Sequence, residues 1–250
     1  MIPCVQDYLK QYQEVAFLQE EKKETWQKWE EKCPSLLRGW FELSHLSQQD
    51  RLEFLEDYWT KTLPYAPPIH EKIHQFFQKL EDVQIFLIKK RDKDFFDPIC
   101  LYPLNNGNLF IGEAPYTPHE IEAITAQLKM ILPEDYLSFF RIHRKFIKKK
   151  QVALFPLEEV RIYHQRILED VQKREQKITF ENKLVDPRNL IPFACNEEEN
   201  CFQCFFKGWY PSDQIGNISF DLLTGTLSGI DSKNSYSSFL KWFSNILNLP

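Results

Sequence analysis

The sequence predicts an α+β fold in two parts. A helical and β-hairpin extension covers residues 1–115, and a domain with helices around a mainly antiparallel sheet covers 116–250. Three observations predict this. Apolar residues recur at three- and four-residue steps through the first eighty positions, the period of a helix with one buried face. Between Val83 and Gly112 the pattern shortens to three apolar runs around a turn signal, as short strands require. After residue 190, four strand-like runs precede a closing amphipathic stretch. Helices first and clustered strands later give α+β rather than alternating βα units.

In the first part, Tyr8, Leu9, Tyr12, Ala16, Trp26 and Trp29 lie at helical steps among Glu and Lys, and Cys33-Pro34 ends that helix. Leu36, Leu37, Trp40 and Phe41 open the next one, with Pro34 in its first turn. Ser47 followed by Asp50 is a capping signature, and Leu52, Leu55, Tyr58 and Trp59 continue its helix to the prolines at 64, 67 and 68. Ile69, Ile73, Phe76, Phe77 and Leu80 form another stripe. Strands are predicted over Val83–Ile88, Ile99–Leu104 and Leu109–Gly112. Asn105-Asn106-Gly107-Asn108 joins the last two as a hairpin, because Asn and Gly tolerate positive φ.

Thr117-Pro118-His119-Glu120 opens the second part with an N-cap, a first-turn proline and a reciprocal Glu. Ile121, Ile124, Leu128 and Ile131 form its buried stripe, and Leu132-Pro133 starts a helix through Tyr136, Leu137, Phe140 and Ile142. Leu154–Val160 opens a longer helix with Tyr163, Ile167, Leu168 and Val171 on one face. Strands follow at Leu190–Cys195, Cys201–Phe206, Ile218–Leu222 and Thr226–Ile230, with Gly225 in the last turn. A helix from about Ser237 closes the chain, with Phe239, Leu240, Phe243, Ile246 and Leu247 inward.

Composition removes several function classes. Only 7 Gly among 250 residues argue against nucleotide-cradling loops, and neither GxGxxG, a Walker-type motif nor GxSxG occurs. A net charge of −5 is unsuited to a direct nucleic-acid binder. Residues 1–115 carry 14 Lys/Arg against 19 Asp/Glu, whereas 116–250 carry 17 of each. No apolar run reaches the ~20 residues a membrane span needs, and the start has no basic and apolar leader pattern. The expected compartment is therefore the cytoplasm, with no membrane partner and the six Cys as reduced thiols.

Five features remain to be weighed. His70-Glu71-Lys72-Ile73-His74 matches HExxH literally, the zinc-protease pattern. No third ligand follows it, Lys72 puts a charge in the middle, and Pro67-Pro68 places His70 in a first helical turn. An exposed polar helix face is the better expectation. Cys201-Phe202-Gln203-Cys204, with Cys195 nearby, lacks the second pair of a four-ligand zinc site and reads as small apolar strand residues. Arg141, Arg144, Lys145, Lys148, Lys149 and Lys150 are expected as a solvated loop. Glu197-Glu198-Glu199 sits in a turn between strands, and Trp209, Tyr210 and Asp213 in a loop. Aromatic side chains of this kind anchor partners, although Trp209 and Tyr210 read equally well as a lid on the sheet edge.

From Thr117 to about Leu247 the order of signals resembles the SUKH superfamily, which includes the fungal Smi/Knr-type regulators and many bacterial proteins. The residues that carry it are Leu132-Pro133-Glu134-Asp135-Tyr136 after a capped helix, Leu154–Val160, Leu190-Ile191-Pro192-Phe193-Ala194, the strand Cys201–Phe206, Ile218-Ser219-Phe220-Asp221 and Phe239-Leu240-Lys241-Trp242-Phe243. Where the family usually has a Gly-containing turn, this chain reads Arg144-Lys145-Phe146. The resemblance implies a non-catalytic module without a cofactor, whose partner is another protein. A toxin is the expected partner of an immunity-type member, and a regulatory scaffold is the alternative; a zinc protease through His70, Glu71 and His74 is a remote third. A nuclease toxin has a basic active site, so the expected contact is Glu197, Glu198, Glu199 and Asp213 with Trp209 and Tyr210. The basic run at 144–150 is the competing contact, suited to an acidic partner.

Overall fold

The computed structural model describes residues 2–149, 151–175, 177–196, 201–211, 214–229 and 232–248. The chain forms two compact units, Met1–Pro115 with Ile142–Lys149, and Tyr116–Arg141 with Lys150–Pro250.

The first unit contains helices α1 (Pro3–Leu9), α2 (Trp26–Lys32), α3 (Arg38–Ser44), α4 (Gln48–Thr62) and α5 (Pro67–Gln78). Its strands are β1 (Glu14–Phe17), β2 (Gln84–Lys89), β3 (Asp97–Pro103), β4 (Leu109–Glu113) and β5 (Phe146–Lys148), each antiparallel to the next in chain order. The central strands are apolar without alternation because both faces are covered. Val5 and Leu9 of α1 pack on Phe86, Ile88, Ile99, Leu101, Leu109 and Ile111. The opposite face carries Tyr102, Phe110 and Phe146, which meet Trp59 of α4 and Phe76 of α5 at ring distances of 5.3–6.2 Å. Gly107 takes φ 83 in the expected hairpin turn.

Two expectations in this unit need correction. The single helix through Tyr12 and Ala16 does not form: α1 ends at Leu9, and Val15 and Phe17 lie in β1. Phe17 stacks on Phe86 at 4.6 Å, so a β partner more than sixty residues away outweighs a local helical spacing. The basic run is not a solvated loop either. Phe146–Lys148 is a strand with Lys148 opposite Phe110, and the Lys148 side chain is buried. Its ammonium lies 5.8 Å from the Phe110 ring centroid, and Arg144 Nε donates to Glu113 Oε2 at 3.1 Å. Lys150 lies outside the described residues.

The second unit contains α6 (Pro118–Leu128), α7 (Glu134–Phe139), α8 (Leu157–Lys173) and α9 (Phe239–Leu247). Its strands are β6 (Val152–Leu154), β7 (Thr179–Phe180), β8 (Lys183–Leu184), β9 (Leu190–Asn196), β10 (Cys201–Phe206), β11 (Asn217–Asp221), β12 (Thr226–Leu227) and β13 (Ser235–Tyr236). They are ordered β6-β9-β10-β11-β12-β7-β8, with β13 also on β11. Every described pair in this unit is antiparallel except β12 with β7.

Thr117 and Glu120 form the predicted capping box of α6, and Gly225 takes φ 71. Residues 154–156 are not helical as expected: Leu154 ends β6, and Pro156 holds Phe155 extended, so α8 starts at Leu157. Thr226–Leu227 is shorter than expected, and Ile230 lies outside the described residues. The β7–β8 hairpin turns through Glu181 and Asn182, both at positive φ (47° and 63°), as a two-residue hairpin loop demands.

The two faces of this sheet are both used. Ile167 and Val171 of α8 cover Leu190, Phe202, Cys204, Ile218 and Phe220. On the other face, Phe193 stacks on Phe205 at 4.3 Å and meets Trp242 of α9 edge-on at 4.9 Å. Gln203 lies opposite Ala194 but Cys204 lies opposite Pro192, so Phe193 is the extra residue of a β-bulge. A bulge re-aims neighbouring side chains, and here both Phe193 and Ala194 serve the face below α9.

Candidate functional site

Strand alternation puts Asn196, Cys201, Gln203 and Ser219 on one face, since Asn196 pairs with Cys201 and Gln203 with Ser219. This face, α9 and β13 enclose a half-open cleft of about 510 Å³. Trp242, Asn245 and Ile246 line it from α9, with Asn234 and Tyr236 at the side.

Hydrogen bonds fix the cleft wall. Gln203 Nε2 donates to Asn217 Oδ1 at 2.7 Å and to the Asn234 carbonyl at 3.3 Å. Both amide hydrogens are thus spent, and Oε1 is the part of the side chain that accepts from a ligand. Fully buried Asn217 donates to the Ser238 carbonyl at 2.9 Å, tying β11 to the start of α9. Asn245 Nδ2 donates to the Tyr236 hydroxyl at 3.1 Å. Burial pushes the Tyr236 phenol above its ordinary value, so it stays a neutral hydroxyl.

The predicted contact residues fall in different places. Glu197, Glu198, Glu199 and Asp213 lie outside the described residues. The nearest described residues on either side of the triplet, Asn196 and Cys201, both line the cleft. Trp209 and Tyr210 follow Phe206, at the far end of β10 from Cys201, and five residue steps span about 17 Å.

Trp209 is a packed residue. A Cβ at Gly216 would stand 2.3 Å from its ring, and Gly216 N–H donates to its carbonyl at 2.9 Å. Only glycine admits that approach. Tyr210 instead faces out, 62% exposed, on a hollow of about 480 Å³ with Ile131, which is 89% exposed, and with Lys129 and Lys207. That hollow and the cleft floor were not legible in the sequence. Exposure of Ile131 runs against the helical stripe that places it inward, because α6 ends at Leu128 with Lys129 at φ 53.

His70 and His74 are held apart by different partners. His70 Nε2 donates to the Thr60 carbonyl at 3.0 Å and Nδ1 accepts from the Ala66 N–H at 3.2 Å. His74 Nδ1 pairs with Glu56 Oε1 at 2.5 Å. The CxxC spacing puts Cys201 and Cys204 on opposite faces of β10, since i and i+3 differ by an odd number of steps. Among the described residues no group of three His, Cys, Asp or Glu is placed to hold a metal ion, and no helix is long and apolar enough to cross a membrane.

A family model described as SMI1 / KNR4 family (SUKH-1) matches residues 115–245. No curated protein matches the chain.

Proposed function

The chain belongs to the SMI1/KNR4 (SUKH-1) family, and from that premise we propose that it is a non-catalytic module that binds another protein, as an immunity protein binds and neutralises a toxin. The cleft carries this reading. Its described lining offers the amides of Asn196, Gln203, Asn234 and Asn245, the Ser219 and Tyr236 hydroxyls, the Cys195 and Cys201 thiols, the Lys233 ammonium and the Trp242 ring, and no His, Asp or Glu. Side-chain amides donate and accept at once, which suits the backbone of an extended partner segment.

The segment 197–200, with Glu197, Glu198 and Glu199, connects in sequence two cleft-lining residues, Asn196 and Cys201. Three carboxylates there favour a basic partner and speed its encounter at low salt. A regulatory scaffold is the second reading. It is favoured by the hollow around Ile131 and Tyr210, where Lys129 and Lys207 outnumber the one lining carboxylate, Glu134, around apolar surface and suit an acidic segment.

The test begins with capture of the native partner on the full chain in its own cells. The captured protein is then expressed alone and together with this chain. Growth arrest by the partner, relieved by co-expression with a one-to-one complex, supports the immunity reading. A harmless partner, or arrest unrelieved despite complex formation, contradicts it.

A further inference from the structure

The first unit holds a second cavity, unrelated to the cleft. It measures about 240 Å³ and opens between α3 and α4. Trp40 and Leu43 of α3 form one wall, and Phe54, Leu55 and Tyr58 of α4 form the other. The floor is Trp59, Tyr102 and His143, all fully or almost fully buried. None of the lining residues is Asp, Glu, Lys or Arg.

The floor is uncharged, and its His143 and Tyr102 are hydrogen-bonded to each other. His143 Nδ1 donates to the Glu113 carbonyl at 2.9 Å, so Nε2 accepts from the Tyr102 hydroxyl at 2.7 Å. Burial lowers the imidazole and raises the Tyr102 phenol and Cys100 thiol, keeping all three neutral. A charged ligand would lose its hydration here without a counter-charge.

The mouth is held open. Phe54 is 54% exposed and Tyr58 39%, large apolar surface for positions beside a cavity. Gly39 lines it from within α3, a helical position where Ala is intrinsically better. A Cβ there would meet nothing within 4 Å, so no neighbour forbids a side chain. Its absence leaves the entrance clear.

We propose that this cavity is a binding site for a small uncharged aromatic molecule of one or two fused rings. Size sets that class: a cavity of roughly 150 Å³ accepts benzene, so this one has room for a bicyclic ring but not for a bulky cofactor. Aromatic walls supply edge-to-face and offset contacts that an aliphatic ligand would not gain.

Indole is the probe, titrated into the full chain with methyl NMR as the readout. The expected result is saturable shifts at Leu43, Leu55 and Ile142, with methyls of the second unit unmoved. Indole-3-acetate, bearing a carboxylate, should bind at least about tenfold more weakly if the site rejects charge. Gly39→Leu fills the entrance at a helix-favouring cost and should abolish the shifts while the circular dichroism stays unchanged. Three results would overturn the proposal: no saturation up to the solubility of indole, equal binding of the charged analogue, or undiminished binding by Gly39→Leu. If these methyls move on adding the captured protein partner but not with indole, the site takes a partner's side chain and the small-molecule proposal is wrong.

Discussion

The Leu240 backbone N–H donates to Asp135 Oδ2 at 3.0 Å, across 105 positions of sequence. A buried carboxylate at the start of α7 therefore satisfies a first-turn donor of α9, beside Ser238, whose hydroxyl accepts from Lys241 N–H at 3.2 Å. Its other oxygen accepts from Tyr136 N–H at 2.9 Å. This link sets α9 on the sheet, and α9 forms one wall of the cleft.

Asp135→Ala removes both acceptors and should cost about 2 kcal/mol, the upper range for a lost helix cap. Burial outweighs the hydrogen bonds and raises the Asp135 carboxyl above 3.8. The native state then holds this proton more tightly than the unfolded chain. Its contribution to stability is complete below 3.8 and is lost as pH rises through the raised native value. Urea melts of the wild type and Asp135→Asn against pH check this: the wild type should lose stability relative to the variant over that rise. Parallel curves would show that the carboxyl titrates alike in both states.

His143 has the opposite sign. Burial pushes its imidazole from 6.5 down to about 4, so below 6.5 the unfolded chain takes up a proton that the native state refuses. Stability should fall as pH drops from 6.5 to 4, by about 3 kcal/mol in total at 1.36 kcal/mol per unit. His143→Gln should remove that slope even if it lowers stability overall. A variant with the wild-type slope would place the titration elsewhere.

The HExxH match should bind no zinc. His70 already uses both ring nitrogens on backbone groups, and His74 is turned to Glu56. Metal analysis of the purified chain should give far less than one zinc per molecule, with His74→Ala no different. Stoichiometric zinc lost in that variant would make the motif a real site.

Local signals were the legible ones. The Thr117–Glu120 box and the Asn105–Asn108 turn depend only on residues within four positions, and both form as read. Strands β1 and β5 were not legible, because their reasons lie far away: Phe17 is set by Phe86, and Lys148 by Phe110. Nor was the cleft. Gln203 and Ser219 share its face through the β10–β11 register, while the extra residue Phe193 in β9 brings both itself and Ala194 to the side of α9, and no spacing in the sequence announces a bulge. Tyr210 was found by its residue type, but its neighbour Ile131 was assigned to the core because the end of α6 was placed too late.

The central claim is that the cleft of the SUKH-1 unit holds the partner, with Glu197–Glu199, which follow cleft-lining Asn196 in the sequence, as its acidic contact. Its most direct test is calorimetric titration of the purified native partner at low and high salt. The chains compared are the wild type, Gln203→Arg and a variant with Glu197, Glu198 and Glu199 all changed to Lys. Gln203→Arg crowds the cleft wall and should weaken binding at least about tenfold, as for a central interface position. The charge-reversed chain should bind more weakly at low salt and lose the wild-type salt dependence. Unchanged affinity and salt dependence in both folded variants would contradict the account.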